Sequence, residues 1–370
     1  MRIAVIDITN KVPLYNAALI KALKDAAGSN DVIDCFTSES RLLSIVPHRI
    51  ENSKNIAKRA FKAVETILNW IYLLLVLYKK KYDVVHFQWL PFMEISNIEL
   101  QFLRILKRSG NKKLILTIHN VYPHGRNSEA YKTKYALRFR RAAMCFDKFI
   151  VHTNHTKKQV IREFDISEEK IFVVHHGIFE HKAFPPEIEK GSTKKYSIIM
   201  YGNQDIYKGT DIFVDALSLL PKDLKPSVKA TILGRMDDEM YNYVTQKEKD
   251  LDIEIIPRFV SEEELYSNIA KANLIVLPYR DISQSGVLLL ALSFHKCILT
   301  SDLPSFKETL EGFQDDMFFE TGNAQSMAYV LEKYIRGEIE INMQLKAIDS
   351  LNKKYSWESA GQLTYNIYQK

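Results

Sequence analysis

Residues 200–209 read MYGNQDIYKG. A short apolar run, residues 197–201, ends at Tyr201. Gly202 then permits a tight turn and close backbone approach. Lys208 and Gly209 follow, and a helical pattern begins near Thr210. The stretch predicts strand, loop and helix in succession. A lysine in such a loop is placed to meet a diphosphate, helped by the positive end of the helix. Lysines beside turns are also commonly just solvated, so the reading depends on the rest of the chain.

Working outward, the same pattern recurs. Short apolar runs occupy residues 3–8, 32–36, 83–87, 114–118, 148–153 and 171–175. A second set occupies 197–201, 229–233, 253–256, 274–278, 297–300 and 317–319. Runs of this length, rich in β-branched and aromatic residues and spaced by helical segments, read as βαβ units in parallel sheets. The predicted class is α/β, with two doubly wound, Rossmann-like domains in tandem. Their expected bounds are 1–185 and 196–350, with a last helix in 351–370. The linker is expected within residues 183–196, AFPPEIEKGSTKKY. In open α/β sheets ligands sit outside the carboxyl ends of the strands, so functional residues should lie just after strands.

Bulk properties agree with two cores. A chain of 370 residues, 46% hydrophobic and 26% charged, is long for one core and ordinary for two. Cys35, Cys145 and Cys297 are far apart, which argues against a disulfide framework or a cysteine metal site. The first strand starts at Arg2, leaving no room for a signal peptide and predicting a cytoplasmic protein. The net charge of +6 is uneven. Residues 1–185 carry 30 Lys and Arg against 17 Asp and Glu, and the remainder 21 against 28, giving +13 and −7. Two solvated surfaces are the plain reading of that split. The sharper one is a first half that faces something anionic, such as a membrane or a phosphate-bearing acceptor. The basic residues form no recognised nucleic-acid-binding module, so nucleic acid is not expected as a partner.

Residues 56–81, IAKRAFKAVETILNWIYLLLVLYKKK, stand apart. Their apolar core, 67–78, is too short to span a bilayer, which takes about 20 residues. Two readings stay open. One is a buried helix on the sheet. The other is an interfacial helix on an anionic membrane, peripheral to its inner face, with Trp70 and Tyr72 at headgroup level.

Other strand ends carry chemistry. In residues 277–290, LPYRDISQSGVLLL, Ser283, Gln284, Ser285 and Gly286 precede an apolar helix. Ser285 or Gly286 near its N-cap leaves free amides that suit a phosphate, although a plain capped helix would need no ligand. In residues 116–126, LTIHNVYPHGR, the side chains of His119, Asn120 and His124 follow a strand and suit a sugar hydroxyl or a leaving-group oxygen. Zinc is the competing reading there, weakened by the intervening Pro123 and the lack of an acidic or cysteine partner. The loop after the first strand holds Asn10, Tyr15 and Asn16, without a GxGxxG fingerprint. Gly234 and Arg235 follow another strand, as does the His175-His176-Gly177 run. Arg258, Phe259 and Val260 could let the backbone read a base, though a buried Phe259 is the commoner explanation. The aromatics of His86-Phe87-Gln88-Trp89 read as core.

At these residues the chain resembles the GT-B glycosyltransferases, close to the retaining family-4 enzymes. Residues 83–92 (DVVHFQWLPF), 116–125 (LTIHNVYPHG), 149–160 (FIVHTNHTKKQV) and 173–177 (VVHHG) resemble the acceptor-side half. Residues 201–217 (YGNQDIYKGTDIFVDAL), 232–235 (ILGR) and 277–292 resemble the donor-side half, and 301–310 and 355–359 also match. The pieces occur in order over nearly the whole chain.

The resemblance implies two Rossmann-like domains facing across a cleft, and transfer of a hexose from a UDP-sugar or GDP-sugar without a metal or other cofactor. It implies a glycan or lipid-linked saccharide as acceptor, in bacterial surface polysaccharide synthesis. Lys208 matches the lysine that neutralises the leaving diphosphate. Ser285, Gly286 and Val287 match the helix start that meets phosphate, and His119 the histidine that reaches the donor sugar. Gly202, Asn203, Gly234, Arg235, Arg258, Phe259, Val260, Ser283 and Gln284 complete the expected donor side. Asn10, Tyr15, Asn120 and His124 are the acceptor-side candidates, and the helix around Trp357 is expected to return to the first domain. The chain also departs from the pattern. The arginine common before the lysine is missing from a loop that has Asn203 and Asp205. The usual pair of glutamates is replaced by Ser283/Gln284 and Leu290/Ala291, and a usual glycine is His295. A non-catalytic two-lobed binding protein is the alternative reading.

Overall fold

The structure is a computed structural model that describes residues 1–45, 56–123, 128–179, 195–247, 251–282 and 284–370. His124, Ser283 and most of the 183–196 stretch lie outside the described residues. The chain forms two compact units. One comprises Met1–Gly177 together with Ser356–Lys370, the other Ile178–Tyr355.

The first unit is built on a parallel sheet of β1 (Arg2–Asp7), β2 (Val32–Thr37), β3 (Val84–Phe87), β4 (Lys113–Thr117), β5 (Lys148–Val151) and β6 (Ile171–Val173). Their spatial order is β2-β1-β3-β4-β5-β6. Alternate side chains along a strand face opposite sides, and both sides are covered. Ile3 and Val5 pack beneath α1 (Pro13–Ala26) and α13 (Trp357–Gln369). Ala4 and Ile6 pack on the other face, beneath α2 (Ile56–Lys80), α3 (Ile98–Arg108), α4 (Glu129–Ala143) and α5 (Asn154–Phe164).

The α13 helix belongs to this unit by close packing. A Cβ on Gly361 would lie 2.6 Å from the Cβ of Ala22 in α1. The Tyr368 hydroxyl is 2.5 Å from Nδ1 of His86 in β3. Lys113 and Lys148 donate to the carbonyls of Tyr368 and Ile367, at 3.0 and 2.7 Å, placing cations at the negative end of the helix.

The second unit repeats the plan with β7 (Tyr196–Tyr201), β8 (Val228–Leu233), β9 (Ile253–Ile256), β10 (Leu274–Leu277), β11 (Cys297–Ser301) and β12 (Phe318–Phe319). The order is β12-β11-β10-β7-β8-β9, again parallel. Ile198 and Met200 face α6 (Thr210–Leu219) and α11 (Ala324–Arg336). Ile199 and Tyr201 face α9 (Gly286–Ser293) and α12 (Ile341–Lys354).

All twelve apolar runs are strands, with ends within two residues of expectation. Each sheet has a switch point where the strand order reverses, between β1 and β3 and between β7 and β10. Ligands of open α/β sheets bind at such points. The α2 helix is buried along one side and exposed along the other, and Trp70, expected at headgroup level in the interfacial reading, lies in the core. Trp70, Leu73 and Leu77 are fully buried, while Phe61, Leu75 and Tyr78 are about 70% exposed at 70%, 66% and 71%.

Candidate functional site

In the second unit the switch point is held together by glycines. Gly202 ends β7 with φ +100°, and Gly234 ends β8 with φ +128°. Any Cβ on Gly234 would sit 2.1 Å from the carbonyl oxygen of Gly202. A Cβ on Gly209 would sit 2.0 Å from the carbonyl oxygen of Pro278. Backbone therefore lies directly on backbone, which only glycine allows. Gln204, buried, bonds to the carbonyls of Gly202 and Leu233 at 2.6 and 3.1 Å and accepts from Thr210 at 2.8 Å.

Lys208 closes the 3₁₀ turn Ile206–Lys208 and is only 6% exposed. Its ammonium lies over the Tyr279 ring, 5.4 Å from the centroid. A Cβ on Gly202 would touch both Lys208 Nζ, at 2.8 Å, and Val287 Cγ2, at 3.3 Å. The loops after β7 and β10 thus converge on one spot. Burial pushes the Lys208 amine down to about 8, with Asp205 opposing, and no carboxylate among the described residues is paired with it. A buried cation without a counter-ion is costly unless something anionic binds there.

Ser285 is the N-cap of α9, and its hydroxyl accepts from the Leu288 amide at 3.1 Å. That leaves the Gly286 and Val287 amides of the first turn outside the helix's own bonding. Nothing lies within 4 Å of a Cβ placed on Gly286. The Tyr201 hydroxyl donates to the Val287 carbonyl at 2.9 Å, tying this helix start to β7. Gln284 has a buried Nε2 with no partner among the described residues.

The more distant donor-side candidates are arranged differently. Asn203 is exposed. Arg235 is exposed over the Phe259 ring, 5.8 Å from its centroid. Phe259 is 66% exposed rather than buried, because its strand has ended and the loop turns it outward; Val260 fills the core instead. Arg258 is engaged with Glu264 through two bonds of 2.9 and 2.6 Å. A residue the sequence did not single out is Arg280. It grips Asp211 at 2.8 and 2.5 Å and the Ile206 carbonyl at 2.8 Å, fastening the turn that carries Lys208.

In the first unit the carboxyl ends of β1, β3, β4 and β5 bring histidines and aromatics together. Tyr15 lies edge-on to His119, with ring centroids 4.8 Å apart, and within 5.5 Å of the rings of His152, His176 and Trp357. Burial raises its hydroxyl above the ordinary tyrosine range, with Thr117 opposing. Asn10 has φ +49° and accepts from Asn16 at 3.2 Å, so it shapes the loop after β1. His119 and Asn120 line a cavity of about 40 Å³ with Trp89, Met93, Glu94 and Pro123. Trp89 is half-buried there, while Phe87 is core.

A carbonyl can only accept, so Nδ1 of His152, 2.9 Å from the Val174 carbonyl, carries the proton. Burial pushes His152 down to about 4, so the ring is neutral and its Nε2 is an acceptor. That nitrogen lies 3.2 Å from Nδ1 of His119, which must therefore donate. His119 Nε2 is left as a bare acceptor, buried and without a partner among the described residues. Burial, then the neighbouring His152, His176 and His86, hold His119 well below the ordinary imidazole range. Gln88 Oε1 and Asn16 Oδ1 are also buried without partners at these strand ends. Buried acceptors of this kind usually mark a ligand or water. Among the described residues no group of three or more His, Cys, Asp or Glu side chains is arranged to hold a metal.

Comparisons with known proteins follow the same division. The family model described as Glycosyltransferase Family 4 matches residues 15–180, and that described as Glycosyl transferases group 1 matches residues 183–350. A GDP-mannose:glycolipid 4-beta-D-mannosyltransferase of Xanthomonas campestris is 23% identical over 59% of this chain. The match spans only 61% of that enzyme's length. Among solved structures, a sucrose-phosphate synthase from Thermosynechococcus elongatus has a TM-score of 0.74 at 14% identity, covering 100% of this chain and 98% of that one. Anabaena HepE, solved with UDP and glucose, has a TM-score of 0.70 at 14% identity over 100% and 99% of the two chains. A Rickettsia africae glycosyltransferase gives 0.69 at 16% identity, over 100% and 97%.

Proposed function

We propose that this chain, which belongs to the family-4-like glycosyltransferases of the GT-B fold, transfers a hexose from a nucleotide-diphospho-sugar to a saccharide acceptor. The observation that carries the reading is the ammonium of Lys208, buried beside Gly202 and the start of α9 with no carboxylate paired to it among the described residues. A departing nucleoside diphosphate develops negative charge. A buried cation and oriented amides stabilise that charge without reorganisation at the moment of reaction.

In this reading Lys208 and the amides of Gly286 and Val287 meet the diphosphate. Gln284 and Ser283 are assigned to the donor's hydroxyls, and Asn203, Arg235 and the 258–260 segment to the nucleoside. His119 accepts a hydrogen bond from a hydroxyl through Nε2, and Asn10, Tyr15, Asn120 and His124 serve the acceptor. The positive groups suffice for the leaving diphosphate, so transfer needs no metal. The acceptor is a growing glycan or lipid-linked saccharide of the kind used in surface polysaccharide synthesis. It is met in the cytoplasm at an anionic membrane surface.

The family-4 resemblance carries retention of the anomeric configuration. The β-linkage in the name of the Xanthomonas relative favours inversion as a second reading, since GDP-mannose is α-linked. The anomeric coupling of the product by NMR decides between them. The donor assignment is tested by thermal shift with UDP, GDP and their sugars, repeated on Lys208→Ala. A ligand that binds only the folded state raises its melting temperature. We expect one nucleotide series to stabilise the wild type and to lose that effect in the variant. No shift with any of them would overturn the donor reading, and a shift retained in the variant would remove Lys208 from it. Unchanged turnover in EDTA tests the metal-free step.

A further inference from the structure

We infer that the outer face of α2 docks the protein onto an anionic lipid bilayer, lying in the plane of the surface. The proposal rests on the lipid-linked-acceptor reading for its purpose and on the helix itself for its evidence. An ordinary surface helix turns its apolar stripe inward. Here the polar residues turn inward: Glu65, Thr66 and Asn69 are buried alongside Trp70, Leu73 and Leu77. Phe61, Val64, Leu68, Ile71, Tyr72, Leu75 and Tyr78 are all exposed, at helical spacing. Between Phe61 and Tyr78 no charged or amide side chain is exposed. Leu43 and Ile45 extend the patch, because their amides are bonded to Asn69 and Glu65, at 2.8 and 2.7 Å, and their side chains are exposed.

The inward polar groups explain why α2 stays on the fold. Trp70 donates to Glu99 at 3.3 Å and stacks on Phe102 and Phe87, and Asn69 bonds the Leu43 backbone in both directions. By length and composition, Ala60–Lys80 is apolar enough to cross a membrane. Crossing would strip these buried bonds, whereas lying flat keeps them and covers the exposed face.

Charge selects the occupant. The helix carries Lys58, Arg59, Lys62, Lys79 and Lys80 against Glu65 alone, and Lys81 follows. Glu65 is buried and Lys79, Lys80 and Lys81 are exposed, so the cationic end faces outward. An apolar face bounded by lysines matches acyl chains bounded by anionic headgroups, with Tyr72 and Tyr78 suited to the boundary.

The test is vesicle flotation of the full chain with phosphatidylcholine alone and with added phosphatidylglycerol. We expect flotation with the anionic vesicles, weakened by salt, and at least a tenfold lower bound fraction for the Leu75→Asp/Tyr78→Asp variant. Lys79→Gln/Lys80→Gln/Lys81→Gln should lose the preference for anionic lipid. Both variants change exposed residues, and circular dichroism checks their folding. Protein left at the bottom with anionic vesicles at low salt, or flotation unchanged in Leu75→Asp/Tyr78→Asp, overturns the proposal. So does a dimer seen by light scattering that the variant dissociates without any vesicle binding, which would make a second copy the occupant. The nucleotide thermal shift, read on the same samples, separates the two claims: flotation without any shift leaves the docking face standing and removes the donor reading.

Discussion

His152 determines which nitrogen of His119 is bare. The bond between the two rings, backed by the Val174 carbonyl, leaves His119 with its proton on Nδ1 and its lone pair on Nε2. Nitrogen-15 NMR at neutral pH should therefore show His119 in the Nδ1–H form. His152→Ala frees the tautomer and the ring. It is expected to lower kcat by about 10- to 100-fold, roughly 1.4–2.7 kcal/mol, with a smaller effect on donor KM. His152→Gln, which keeps an acceptor, should recover part of the loss.

Four buried imidazoles make the first unit sensitive to acid. Burial holds His86 and His176 at about 3 and His152 at about 4, with His119 also lowered, whereas the unfolded chain titrates near the ordinary value. Between those values the unfolded state binds more protons, so stability is lost as the pH falls below about 6.5, at up to about 1.4 kcal/mol per pH unit for each histidine. Urea unfolding followed by tryptophan fluorescence measures this cleanly, because Trp70, Trp89 and Trp357 all lie in the first unit. A midpoint that does not fall between neutral pH and pH ~5 would contradict the assignment.

Lys208 should cost the unliganded protein stability. Its folded pKa, about 8, is depressed, so at neutral pH the native state holds a desolvated charge that the unfolded state does not. Lys208→Met is expected to raise the stability of the free protein by about 1–3 kcal/mol while abolishing the nucleotide-induced shift. In the wild type, affinity for the diphosphate should decline as the pH rises past 8, as the amine loses its proton.

Glycines at the second switch point separate folding from binding. Gly209→Ala and Gly234→Ala force a Cβ against backbone oxygen at positive φ, so each should destabilise the second unit by more than about 2 kcal/mol. Gly286→Ala meets open space and should leave stability within about 0.5 kcal/mol of wild type. If phosphate approaches this helix start, the same methyl group weakens nucleotide affinity, which calorimetry would read.

Much of this was legible in the sequence because strand periodicity and strand-end glycines are local signals. Lys208, Ser285 and Gly286 fall at a switch point once the strands are counted. Other features depend on contacts between distant segments. Arg280 secures the Lys208 turn from 72 positions away in sequence, and His152 acts on His119 across neighbouring strands. The period of α2 was readable, but not which face turns inward, since that depends on Glu99 and the Leu43 backbone as partners. His295 occupies the left-handed position after α9, φ +52°, where a glycine would be unstrained. Its ring is held by Asp349 at 2.9 Å.

The return of α13 to the first unit also fixes an order of events during synthesis. Its residues are made after those of the second unit, yet they cover the face of β1 and β3 and pack on α1. A ribosome-bound chain therefore holds every residue of the second unit before it can complete the first. Until α13 has left the ribosome, Ile3, Val5 and Val84 lack part of their cover. For this protein, the amino-terminal half cannot finish folding until the second unit has been made.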